Sequence, residues 1–96
     1  MEEIAQVVRH HHERYDGQGY PDGLSGNEIP LGSRILCVAD TFDALVTDRI
    51  YSKGRPILEA LDEISHHSGT QFDPQVVDVL EQYVGKEEND LMRMSH

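Results

Sequence analysis

Residues 31–46 read LGSRILCVADTFDALV, and the fold turns on how this stretch is read. Ile35, Val38, Ala39, Phe42, Leu45 and Val46 recur with a 3.6-residue period, which predicts a helix with a broad apolar stripe. A strand would instead alternate its apolar side chains every second residue, and no segment of the chain does so convincingly. An all-α fold is expected. Asp40 interrupts the apolar run. Burying a carboxylate is costly without a paired cation, so Asp40 is either a metal ligand or a residue at the edge of the stripe. Asp43, three residues on, is a candidate hydrogen-bonding partner for a neighbouring loop or for a ligating histidine.

Upstream, DGQGYPDGLSGNEIP (residues 16–30) carries four glycines and two prolines in fifteen positions. That density of helix breakers predicts a long structured loop. Gly17 and Gly19 allow the backbone to approach a ligand closely, Tyr20 offers a ring face and a hydroxyl, and Pro21 fixes a turn. Asp16 suits an Asx-turn. The same residues are also ordinary turn chemistry. Before the loop, Ile4, Val7 and Val8 recur at helical spacing, which predicts a helix from Glu2 to about Glu13 whose inward face ends at His11 and His12. Successive side chains on a helix lie about 100° apart, so these two histidines are not expected to share one direction. They suit the border of a cluster of two or three metal ions, or a surface or hydrogen-bonded core position.

Downstream, Arg49, Lys53 and Arg55 cluster between two predicted helices, where they could meet phosphate oxygens or simply complement a helix end. Pro56 suits the first turn of a helix running to about His67, with Ile57, Leu58, Leu61 and Ile64 on one side and Gly69 as a left-handed closing residue. Asp73 is the expected N-cap and Pro74 the first residue of a last helix, whose apolar face of Val76, Val77, Leu80, Tyr83 and Val84 ends before Gly85. Residues 1–85 thus form one domain of about four helices, and residues 86–96 a polar, frayed tail.

Eight basic against eighteen acidic residues give a formal net charge of −10, which disfavours polymeric nucleic acid and acidic membranes. A phosphate ligand would need metal cations or a local arginine cluster to overturn that field. The single cysteine, Cys37, has no partner for a disulfide, which points to a reduced thiol in a cytoplasmic setting. No stretch approaches the length of apolar sequence that crosses a membrane. With 38% hydrophobic residues, the core should be modest and some apolar helix faces exposed, which leaves a homodimer or domain swap open.

Taken together, HHERYDGQGYPDGLSGNEIPLGSRILCVADTFDAL, followed by an Asp-Arg-x-Tyr turn and GTQFDPQVV, resembles the second half of the HD-GYP family of metal-dependent cyclic di-GMP phosphodiesterases. The resemblance spans about residues 9–80 and implies a piece of the HD-type phosphohydrolase fold. It implies that His11, His12 and Asp40 ligate a centre of two or three divalent ions such as iron or manganese. It further implies that Asp16, Gly17, Gly19, Tyr20 and Pro21 form the signature loop, that Tyr20 lies near the substrate, and that Arg49 holds a substrate phosphate with Lys53 as an auxiliary. His10 lies just outside the motif. The family's His-Asp pair is not in this sequence, so the chain is expected to act as a C-terminal fragment, inactive alone and with no metal necessarily retained. Two other readings remain: an interaction module docking a partner such as a diguanylate cyclase domain, and a phosphohydrolase of another nucleotide.

Overall fold

The computed structural model describes residues 3–48 and 56–94, with side chains as far as Lys86. Four helices follow in order: α1 (Ile4–Arg9), α2 (Leu31–Asp48), α3 (Pro56–His66) and α4 (Pro74–Met94), with a short 3-10 turn at Gly26–Glu28. Among the described residues there is no strand, only an isolated bridge between Ser68 and Phe72. The all-α expectation holds. Arg49, Lys53 and Arg55 lie outside the described residues.

The core is the meeting of α2, α3 and α4. Val38, Ile64, Phe72 and Val77 are fully buried there, with Cys37, Phe42, Leu45, Val76 and Leu80 packed around them. Val38, Phe42, Leu45, Ile64, Val76, Val77 and Leu80 are positions that the helical periods selected, because a helix in a small domain gains its stability from the one stripe it can bury, whereas Phe72 enters the core from the turn before α4. Exposed apolar positions also occur, as expected from composition: Leu31, Ile35, Val79 and Tyr83 remain largely accessible and line an open groove of about 480 Å³ between α2 and α4.

Polar ties fix the helix ends. Asp73 caps α4 by accepting the Gln75 N–H at 2.8 Å, and its other oxygen accepts Arg34 Nη1 at 2.7 Å. Arg34 also donates through Nε to the Ile29 carbonyl at 3.0 Å, so one buried ion pair joins the loop, α2 and α4. Asp73→Ala removes a cap and strands a half-buried guanidinium, and is expected to cost about 2–4 kcal/mol by urea unfolding. An unchanged midpoint would refute that role for the pair.

Two boundaries differ from the sequence reading. The first helix stops at Arg9 rather than near Glu13, and Ile4 and Val8 are exposed at 81% and 52% rather than forming an inward face. The reason is tertiary: Glu13 is needed elsewhere, and its N–H closes a turn onto the His10 carbonyl at 3.1 Å. At the other end, α4 runs through Gly85 to Met94 where a polar tail was expected. Lys, Glu, Leu, Met and Arg propagate a helix well, and a single glycine costs it only about 1 kcal/mol.

Candidate functional site

The turn after α1 carries His10, His11 and His12 out of the helix, and this changes their geometry. Instead of diverging, the His11 and His12 rings lie 3.9 Å apart, tilted by 41°. His11 Nδ1 sits in hydrogen-bond contact with the Val8 carbonyl. A carbonyl only accepts, so Nδ1 is the donor in this contact, which leaves Nε2 as the ring nitrogen that could face a metal. His12 stacks on Tyr20, with centroids 5.1 Å apart and an interplanar angle of 21°.

The stacking depends on how the loop is folded against the same turn. Tyr20 N–H donates to the His12 carbonyl at 3.3 Å. Gly19 presses on the backbone so closely that a Cβ there would lie 2.4 Å from Arg14 N and 2.5 Å from His12 O. Gly17 adopts φ +85°, and Asp16 forms the expected Asx-turn by accepting the Gln18 N–H at 3.0 Å. Arg14, through its hydrogen bonds, holds the Asp16 carboxyl below its ordinary range. The Tyr20–Pro21 peptide is cis.

Glu13 anchors the far side of the loop. Its side chain is wholly buried. Oε2 accepts the Asp22 N–H at 3.0 Å and lies 3.0 Å from His10 Nδ1, while Oε1 accepts the Leu24 N–H at 3.1 Å. Burial pushes this carboxyl upward, but the His10 ring and the backbone N–H groups of Asp22, Leu24 and Gly23 outweigh it and hold it below its ordinary value.

These residues enclose a cavity of about 310 Å³, whose walls include His11, His12, Gly19 and Tyr20 from the loop side and Cys37, Asp40 and Thr41 from α2. The structure therefore gathers the expected ligands and the signature tyrosine at one place. Asp40 is exposed at the cavity wall, a position open both to solvent and to an ion in the cavity. Asp43 is exposed, does not line the cavity, and makes no hydrogen bond to His11 or His12 among the described residues. Burial, and then the charge of Asp40, push the Cys37 thiol upward, which keeps it protonated.

His11, His12 and Asp40 share a wall without forming a tight triad. Among the described residues, the three ligand-type side chains with atoms within 4.8 Å of one another are His10, Glu13 and Asp22. That group is already internally satisfied, and Asp22 also pairs with Arg9 at 3.1 Å, so it reads as the anchor of the loop. Sequence reasoning missed Glu13 and Arg14 as parts of the site. Nothing in local spacing reveals that a carboxylate will receive N–H groups from nine and eleven residues further on. Setting aside Glu13, whose oxygens are already engaged, the His11 and His12 imidazoles and the Asp40 carboxylate that line the cavity are a donor set that suits first-row divalent ions in an open site that further ligands complete.

Comparison with known proteins identifies the family. A family model described as HD domain matches residues 1–76. A cyclic di-GMP phosphodiesterase of Thermotoga maritima is 47% identical over 74 residues, covering 77% of this chain and 20% of that protein. The cyclic di-GMP phosphodiesterase response regulator RpfG of Xanthomonas campestris pv. campestris is 50% identical over 76 residues, covering 79% and 20%. A crystal structure of a cyclic GMP-AMP specific phosphodiesterase of Vibrio cholerae superposes with a TM-score of 0.77 at 40% identity, covering 85% of this chain and 18% of that one. The chain thus spans about a fifth of the length of the curated relatives it matches.

Proposed function

Because this chain belongs to the HD domain family, in its HD-GYP branch, we propose that it supplies the histidine-pair and Gly-Tyr-Pro side of a metal-dependent phosphodiesterase site for cyclic dinucleotides. The observation that carries the reading is the single cavity lined by His11, His12, Tyr20 and Asp40. Relatives are named for cyclic di-GMP and for 3'3'-cGAMP, so the substrate proposed is the class and not one base.

In this reading His11 presents Nε2 to a metal, its orientation fixed by the Val8 carbonyl, and His12 is held in place by the Tyr20 ring. Asp40 adds a carboxylate from α2. Divalent ions held by these groups would polarise a phosphoryl oxygen and offset the charge that develops at phosphorus. Asp43 is left to support the site from α2 without touching it, and Arg49 and Lys53 remain proposals for further phosphate contacts. Three protein ligands leave a two- or three-metal site incomplete.

Metal uptake without turnover is therefore expected from this chain alone. After anaerobic loading with iron or manganese and desalting, the wild-type chain should retain metal, and a His11→Ala, His12→Ala, Asp40→Ala variant should retain none. Equal retention by both would remove these residues from the metal site. Hydrolysis of cyclic di-GMP by the loaded chain above a protein-free blank would overturn the partial-site reading.

A further inference from the structure

We propose that Arg14 is a phosphate-binding residue of the cavity, seating an oxyanion of the ligand beside His11, His12 and Asp40. That this oxyanion belongs to a nucleotide rests on the function proposed above. Arg14 lines the cavity with those residues, and its side chain is 39% exposed, so a ligand can reach it.

Its guanidinium is held in advance. Nε donates to Asp16 Oδ1 at 3.2 Å and Nη2 donates to Asp16 Oδ2 at 3.0 Å, while Asp16 is itself fixed by the Gln18 N–H at 3.0 Å. A guanidinium has five N–H groups, and this side-on fork uses two of them. Among the described residues, no hydrogen bond to protein engages Nη1. The edge between Nη1 and Nη2 therefore still offers two parallel N–H groups, the geometry that matches two oxygens of a phosphate. The charge of Arg14 also reaches Cys37, another residue lining the cavity, where it opposes the upward push of burial and Asp40.

Electrostatics favours this assignment over a loop-stabilising role alone. The chain carries a net charge of −10, and Asp40 adds a negative charge to the cavity wall. Among the described arginines, Arg9 is committed to Asp22 and Arg34 to the buried Asp73, and neither lines the cavity. Among the described residues, Arg14 is the fixed cation that an anion entering the cavity from solvent meets.

The test is an NMR titration of the isotope-labelled, metal-free chain with inorganic phosphate, following the Arg14 Nε–H signal and the His11 and His12 ring signals. Phosphate should shift all three saturably, and guanosine, which lacks phosphate, should not. Arg14→Gln should weaken phosphate binding, read at the histidine rings, by about tenfold or more. Arg14→Lys, which keeps the charge and loses the fork, should fall between the two. The proposal is overturned if phosphate leaves the Arg14 signal unmoved, if a folded Arg14→Gln binds phosphate as wild type does, or if guanosine produces the same shift. Should Arg14→Gln fail to fold by circular dichroism, the wild-type titration and Arg14→Lys decide. Manganese broadening of the histidine ring signals in the same samples tests the metal reading separately.

Discussion

Gly19→Ala is expected to destabilise the domain by about 3 kcal/mol, lowering Tm by roughly 15 °C. A Cβ at this position would sit 2.4 Å from Arg14 N, 2.5 Å from His12 O and 2.7 Å from Glu13 Cα. All three are backbone atoms, so no side chain can swing away, and the loop must lift off the turn that carries the histidines. The Tyr20 ring would then leave His12, and metal retention should fall with it. Gly85→Ala provides the contrast, because a Cβ there meets nothing within 4 Å inside α4. It should stabilise by about 0.5–1 kcal/mol through helix propensity. Thermal unfolding of the two variants side by side is the measurement, and a Gly19→Ala protein melting within a few degrees of wild type would show that the loop is not seated as described.

Glu13→Gln should cost about 3 kcal/mol, despite differing from glutamate by one group. The carboxylate accepts from the Asp22 and Leu24 amides and lies beside the His10 ring, all at about hydrogen-bond length in a buried position. An amide offers one accepting oxygen, so its NH2 would face a donor and leave at least one backbone N–H unsatisfied. The pH dependence follows from the lowered carboxyl. A group whose folded value lies below its unfolded one contributes stability above the unfolded value, and that contribution is lost as pH falls through the folded value. Wild-type stability should therefore decline as pH drops below about 4.3, and part of that decline should vanish in Glu13→Gln. Denaturant midpoints from pH 7 to pH 3 for both proteins would reveal parallel curves if Glu13 were not ionised and bonded in the native state.

The helical core was legible because it depends on periodicity. The 31–46 stripe, the Asp73-Pro74 start of the last helix and Pro56 as the start of the third all express local rules, and the chain obeys them. The cavity was legible only in its ingredients. His11, His12, Asp40 and Tyr20 were named from the sequence and do line one cavity. Their mutual geometry was not readable, since it arises where α1 stops at Arg9, and that stop depends on a loop folding back on Glu13. A helical wheel places adjacent histidines apart, whereas a turn brings their rings within 3.9 Å. Arg14 escaped notice for a related reason: its significance lies in which edge Asp16 leaves open, a fact about bond direction rather than residue type.

The attachment of α1 has a consequence for how occupancy of the cavity could be sensed. This helix buries none of its residues, and the Ser33 hydroxyl ties it to α2 through the Val7 carbonyl at 2.7 Å. Segments so thinly anchored open locally at a small fraction of the global unfolding free energy. His11, whose ring leans on the Val8 carbonyl, follows directly behind it. A ligand that fixes His11 therefore steadies the helix just before it, and amide hydrogens of residues 6–9 should exchange with solvent more slowly in proportion to the fraction bound. The first helix is in that sense a built-in reporter: its solvent exchange records what the histidines hold.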